Sequence, residues 1–198
     1  MHTKKPWRLG TRAQLLWRGL RYARILPYVS IDGWLSVDEA IALYELAQTL
    51  PHEHPLSVEI GTRQGKATVC LARGLQGKNA PRLCCIDPFV GGATQRADFE
   101  RNLRGAGIRE LVDVQHAFGR ECAARWHEPI DMLFLHGDHD HEAVARDYRD
   151  WSPHVRPGGY LVMHEGPQDV VRADAEHDLR WVEAHRADGM LVVRRATT

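Results

Sequence analysis

The chain has 198 residues, 43% of them hydrophobic, which is enough for one sizeable core and too little for two. Twenty-six basic residues balance 26 acidic ones, so nothing in the overall charge suggests a nucleic-acid partner. No apolar run approaches the roughly 18 to 20 residues of a membrane span. The first 31 residues also lack a compact apolar core with a cleavage site, so a cytoplasmic location is expected. Four cysteines (Cys70, Cys84, Cys85, Cys122) do not form a disulfide framework. Cys84 and Cys85 adjoin in an apolar run where a strand would point them to opposite faces, and free thiols are expected.

Charge is uneven near the start. Before Asp32 there is no acidic residue, while seven lysines and arginines from Lys4 to Arg24 interleave with Leu15, Leu16, Trp17, Leu20 and Ile25. The spacing predicts an amphipathic basic helix around 11–25. It is either packed on the domain with its arginines in water, or a presequence, a membrane-surface helix or a nucleic-acid arm. Ser36 with Glu39 three positions later is a capping box, which opens a helix running to about Leu50. "LSVEI" (56–60) reads as a strand and Lys66 to Leu75 as a helix. "RLCCI" (82–86) is a second strand ended by Asp87-Pro88, and 94–105 is helical. "LVDVQ" (111–115) is a third strand, followed by a short helix from Gly119 to Trp126. "IDMLFLH" (130–136) is a fourth strand and Glu142 to Trp151 a helix. Pro157-Gly158-Gly159 is a turn before "YLVMH" (160–164), the fifth strand. A short helix over 167–177 and two strands joined by Asp188-Gly189 complete the chain.

Strand and helix alternating in this way predict an α/β fold. It would be a doubly wound, mostly parallel Rossmann-like sheet with a C-terminal antiparallel hairpin and helices on both faces. Residues 1–54 would form a basic helical cap and 55–198 the main domain. Ligands of such sheets sit beyond the carboxyl ends of the strands, so the residues there hold the chemistry.

The first such corner is "VEIGTRQGKAT". Gly61 and Gly65, with Thr62 between them, either let a backbone approach a ligand at a helix N-terminus or pack tightly. Neither the G-x-G-x-x-G nor the G-x-x-x-x-G-K-[ST] fingerprint is present. Asp87, 28 residues after Glu59, is placed either to accept from both hydroxyls of a ribose or to start a turn before proline. "HGDHDH" (136–141) after the fourth strand is either a metal or acid–base site or a histidine-rich loop, and His164-Glu165 follow the fifth strand at the same level.

These motifs together resemble class I S-adenosylmethionine-dependent methyltransferases, in the small-molecule branch of macrocin-type O-methyltransferases and cephalosporin-hydroxylase-like proteins. "VEIGTRQGKAT" is similar to that branch's E-I-G-x-x-x-G-K-S-T turn, and "IDPF" to its second-strand acid. "FLHGDHDHEAVARDYRDWSPHVRPGGYLVMHE" resembles F-I-D-G-D-H-x-Y-x-x-V-x-x-D followed by W-x-x-x-L-x-x-G-G and a closing H-D. The likeness runs from about Gly33 to Arg195 and includes "GWLSVDEAIALYELAQ".

The resemblance implies that Glu59, Gly61, Thr62 and Gly65 hold the methionine part of S-adenosylmethionine and Asp87 its ribose. Phe118 and Gly119 would lie by the adenine, and His136 would stand where the family contacts the amino group. Asp138, His164 and Glu165 would be ligands of a divalent ion such as Mg²⁺. His139 would be the base, with His141 and His164 as rivals. This chain departs from the pattern at His136, where the family has aspartate, and at Glu165, one methylene longer than the closing aspartate. The function implied is methyl transfer to a hydroxyl of a sugar or specialised metabolite, assisted by metal, in a monomer or a homo-oligomer. The competing readings are a metal-dependent hydrolase built on "HGDHDH" and a catalytically silent cofactor-binding protein.

Overall fold

The computed structural model describes residues 22–137, 140–164, 168–169, 171, 181–187 and 189–197. The first helix, α1 (Val37–Thr49), begins where the capping box places it. Ser36 Oγ accepts from Glu39 N at 3.2 Å, and Glu39 Oε2 accepts from Ser36 N at 2.7 Å. Then β1 (Leu56–Ile60), α2 (Lys66–Leu75), β2 (Arg82–Ile86), α3 (Gly92–Gly105), β3 (Val112–Gln115) and α4 (Gly119–Ala123) follow. They lead into β4 (Ile130–Leu135), α5 (His141–Trp151), β5 (Val155–His164), β6 (Trp181–Ala187) and β7 (Met190–Arg195). The seven strands form one sheet in the order β3-β2-β1-β4-β5-β7-β6. Neighbouring strands among β1 to β5 are parallel, and β7 runs antiparallel to both β5 and β6.

The alternation of side chains across the sheet divides the core. One apolar cluster unites α1, α2 and α3 with Cys85, Phe134 and Val162. The other lies under α4 and α5 with Val58, Cys84, Leu133 and Leu161. Cys84 and Cys85 thus face opposite sides, and all four cysteines are free and buried.

The expected architecture is found, with local differences. Pro157, Gly158 and Gly159 lie inside β5 rather than before it. Ile130 pairs with Val155 and Met132 with Tyr160, so β5 carries extra residues as a bulge, where Gly158 adopts φ +79°. A left-handed glycine suits a turn and a bulge equally well, which is why the sequence suggested a turn. Of the basic helix expected over 11–25, only 22–25 are described. They form tight turns, with Ile25 N donating to Tyr22 O at 2.9 Å, and Tyr22 and Ile25 are buried in the first cluster. The hairpin is formed, with Ala187 opposite Met190. The helix expected over 167–177 lies almost wholly outside the described residues.

β1 and β4 are neighbours, yet the chain leaves β1 toward β2 and leaves β4 toward β5. This is the point where the strand order reverses, and a crevice opens between diverging loops at the carboxyl ends.

Candidate active site

Gly61 follows β1 and Gly137 lies two residues beyond β4. They touch: a Cβ on Gly61 would stand 2.4 Å from Gly137 Cα and 2.6 Å from His136 O. Gly61 also has φ +85°, Gly61 N donates to Ile86 O at 2.9 Å, and His136 N donates to Ile60 O at 2.9 Å. Close packing at the crossing therefore explains this glycine by itself. Gly65, at φ +87°, is the N-cap of α2 and packs against Phe99. Together they present the first-turn N–H groups of α2, which have no intrahelical acceptor, at the crevice.

Glu59 is fully buried on the sheet face under α2. Its Oε2 accepts from Thr68 Oγ1 at 2.7 Å and from Cys85 Sγ at 3.3 Å. Its Oε1 has no hydrogen-bond partner among the described residues. Burial pushes its carboxyl up to about 7, against the pull of the Thr68 and Cys85 donors. Asp87 latches the end of β2 to the glycine corner. Its Oδ2 accepts from Thr62 N at 2.7 Å, Arg63 N at 2.9 Å and Thr62 Oγ1 at 3.3 Å, while Oδ1 accepts from Phe89 N at 2.6 Å. Thr62 is buried by this latch. Oδ1 keeps capacity for a further donor.

Beyond β3, Phe118 is 43% exposed, with the Arg120 guanidinium 4.7 Å from its ring centroid. Phe118 has no side-chain acceptor, so only Glu121 Oε2 caps this helix, taking Phe118 N at 3.0 Å. A Cβ on Gly119 would stand 3.1 Å from Ile60 Cγ2 and 3.3 Å from Asp147 Oδ1, so α4 starts tight against β1.

On the other side of the switch, His136 is half-buried between Phe134 and His164, the two imidazole centroids 4.4 Å apart. His164 is buried with Nε2 3.1 Å from Glu39 Oε2, so it is committed to a carboxylate of α1. His141 opens α5 at the surface, 3.2 Å from Asp169 Oδ2. Asp138, His139 and Glu165 lie outside the described residues. Among the described residues, no three histidine, cysteine or acidic side chains converge as a metal site.

Two buried polar residues of this neighbourhood were not identified from the sequence as site residues. Glu39 read only as a cap. Lys66 packs its stem on Gly33 and donates from Nζ to Leu35 O at 2.7 Å, and burial pulls its ammonium down to about 8. The G-K pair of the glycine corner was the one signal for it.

Residues 58–166, more than half of the chain, match the family described as a methyltransferase domain. The chain belongs to that family. The chain is 26% identical over 144 residues to an uncharacterised protein of Acanthamoeba polyphaga mimivirus, covering 70% of this chain and 59% of the relative, so the chain spans less than two thirds of that protein's length. Among solved structures it is similar to a methyltransferase from Geobacter sulfurreducens, with TM-score 0.66 and 19% identity over 96% of this chain and 92% of the other. An O-methyltransferase from Bacillus cereus in complex with SAH superposes at TM-score 0.60 and 16% identity, covering 96% and 93%. The O-methyltransferase TomG from Streptomyces achromogenes, involved in tomaymycin synthesis and in complex with SAM, gives 0.61 and 15%, covering 96% and 92%. At these identities the likeness is one of fold.

Proposed function

We propose that this methyltransferase domain transfers a methyl group from S-adenosylmethionine to a hydroxyl of a small molecule. The observation that carries the reading is the polar crevice at the β1–β4 switch. It combines the first-turn N–H groups of α2, the unpartnered Oε1 of buried Glu59 and the spare capacity of Asp87 Oδ1. These groups fit the ligand: a carboxyl for its ammonium, a carboxylate for its ribose and the exposed face of Phe118 for its adenine. SAM and SAH in the neighbours named above support the cofactor, and two of those neighbours being O-methyltransferases supports oxygen as the acceptor. The macrocin-type branch rests on the motif resemblance alone.

When bound, S-adenosylmethionine supplies an activated methyl carbon on a sulfonium. The chain's own task is therefore alignment, desolvation and disposal of one proton. Alignment in a near-attack geometry contributes on the order of 7 to 11 kcal/mol. The glycine corner and the Asp87 latch hold one end of the ligand, and residues 1–54 would act as a cap that keeps water from the other. Of the three candidate metal ligands, Asp138 and Glu165 lie outside the described residues, and His164 has Nε2 beside Glu39. No step is routed through a metal.

Calorimetry with SAM and SAH, followed by transfer of a labelled methyl group to a panel of phenols and glycosides, tests the proposal. Saturable binding and a methylated oxygen are expected. Hydrolysis of esters or phosphodiesters without SAM would replace this reading with the hydrolase. Binding without transfer to any member of the panel would replace it with a silent binding protein.

A further inference from the structure

Arg63 sits inside the glycine corner in a backbone conformation that arginine rarely adopts, φ +50°. The Asp87 latch holds it there, Oδ2 accepting from Arg63 N at 2.9 Å. A strained bulky residue in a ligand-binding turn directs attention to its side chain. The guanidinium carbon lies 4.9 Å from the centroid of the Trp34 ring, and Nη2 donates to Asp32 Oδ2 at 3.1 Å. Asp32 and Trp34 belong to the segment that crosses the start of α2. A Cβ on Gly33 would stand 3.2 Å from Lys66 Cδ, and Leu35 O accepts from Lys66 Nζ at 2.7 Å. Lys66 is the first residue of α2, so the guanidinium stands beside that helix's N-terminus. Stacking and one ion pair fix its plane. Its Nε and Nη1 make no hydrogen bond among the described residues, and the side chain is 39% exposed.

Under the same turn lies a group with the complementary need. Glu59 Oε2 is taken by Thr68, the third residue of α2, and by Cys85, while Oε1 is buried with no partner among the described residues. A buried acceptor left unsatisfied is uncommon in folded proteins and calls for a cause. Around one helix start the chain thus offers an acid to a cation and a fixed cation to an acid. The methionine end of S-adenosylmethionine carries both partners, an ammonium and a carboxylate on one carbon. We propose that Arg63 is a specificity-determining residue. Its Nε and Nη1 receive that carboxylate beside the first-turn N–H groups of α2, and so the protein tells a carboxylated nucleoside from a decarboxylated one. This rests on the methyl-transfer reading above, which places the ammonium, the ribose and the adenine but not the carboxylate. Five N–H donors in a rigid fork let arginine hold Asp32 and the ligand at once. Because Trp34 and Asp32 already fix the guanidinium, little side-chain freedom is lost when the carboxylate arrives.

The test is calorimetry of the full chain with two compounds, SAH and decarboxylated SAH, which keeps the ammonium and lacks the carboxylate. The wild-type chain is expected to bind SAH roughly 10- to 100-fold more tightly than the decarboxylated compound. Arg63→Gln should lose most of that ratio through weaker SAH binding, while decarboxylated SAH binds it as it binds the wild type. That unchanged affinity also shows that the variant's crevice is folded. Where Arg63→Gln does not fold, Arg63→Lys takes its place, and a ratio smaller than the wild type's is expected because the fork is lost. Equal wild-type affinities for the two compounds, or a ratio unaltered in the variant, overturns the inference and leaves the methyl-transfer reading standing. An equal loss of both compounds in a folded variant makes Arg63 a support of the corner alone and overturns it too. Binding of neither compound by the wild-type chain removes the methyl-transfer reading and this inference with it.

Discussion

The two halves of the crevice are built differently. On the β1–β2 side, each functional group is fixed by partners near the corner: Asp87 by Thr62, Arg63 and Phe89, and Glu59 by Thr68 and Cys85. On the β4–β5 side, His164 is fixed by a helix 125 residues away, and that helix's Glu39 also holds the hairpin turn at Gly189. The first half is a local device that any chain folding into this corner would carry. The second depends on the whole fold closing, because the N-terminal helix, the end of β5 and the hairpin must all be in place before the bond exists. The first half therefore needs only neighbouring segments, and the second needs three distant ones to meet.

The contrast can be broken most severely at the crossing. Gly61→Ala forces a Cβ against the Gly137 backbone at φ +85°, and strain plus overpacking should cost roughly 4 kcal/mol or more in urea unfolding. Gly65→Ala carries similar left-handed strain at φ +87° but meets only side chains, the Phe99 ring at 3.1 Å and Leu103 Cδ2 at 3.6 Å, and should cost clearly less. Equal losses would contradict the claim that one glycine packs on backbone and the other on a movable side chain. Next comes Glu39→Ala, which leaves the buried His164 Nε2–H and the Gly189 N–H without acceptors and should cost about 2–4 kcal/mol. A change within experimental error would show the two halves to be independent.

The same contrast decides what the sequence could tell. Apolar runs broken by Gly, Pro and Asp-Pro located the strands, because burial on both faces of a parallel sheet needs such runs. The capping box located α1 from Ser36 and Glu39, since both partners lie three residues apart. The corner's glycines were legible for the same reason, and Asp87 because Asp-Pro ends an apolar run. Glu39's second role was not legible, because nothing near residue 39 records that His164 and Gly189 will arrive. The partners of Glu59 Oε2, Thr68 and Cys85, were not legible either, because they lie on α2 and β2. Whether a polar residue faces solvent or core at a strand's end depends on which helix covers that face.

Glu59 gives a graded test. Its folded carboxyl titrates at about 7 against an ordinary 4.5, so the protonated form is favoured by folding. Its contribution is complete below about pH 4.5 and is lost as pH rises through 7, a change of roughly 3 kcal/mol. Glu59→Gln should remove that slope from the stability–pH curve and leave the Thr68 bond in place; a slope that persists would place the titration elsewhere. Smallest should be Phe118→Ala. At 43% exposure the ring carries little core packing, so stability should change by no more than about 0.5 kcal/mol while SAH affinity falls measurably. An unaltered affinity would move the adenine away from β3.

The most direct measurement is a calorimetric titration of the full chain with SAH, beside Asp87→Asn. One saturable site is expected, with affinity lowered about tenfold or more in Asp87→Asn, where a carboxylate that receives ribose hydroxyls is lost. No heat from the wild-type chain, or equal affinity in both proteins, would contradict a nucleoside ligand at the switch between β1 and β4.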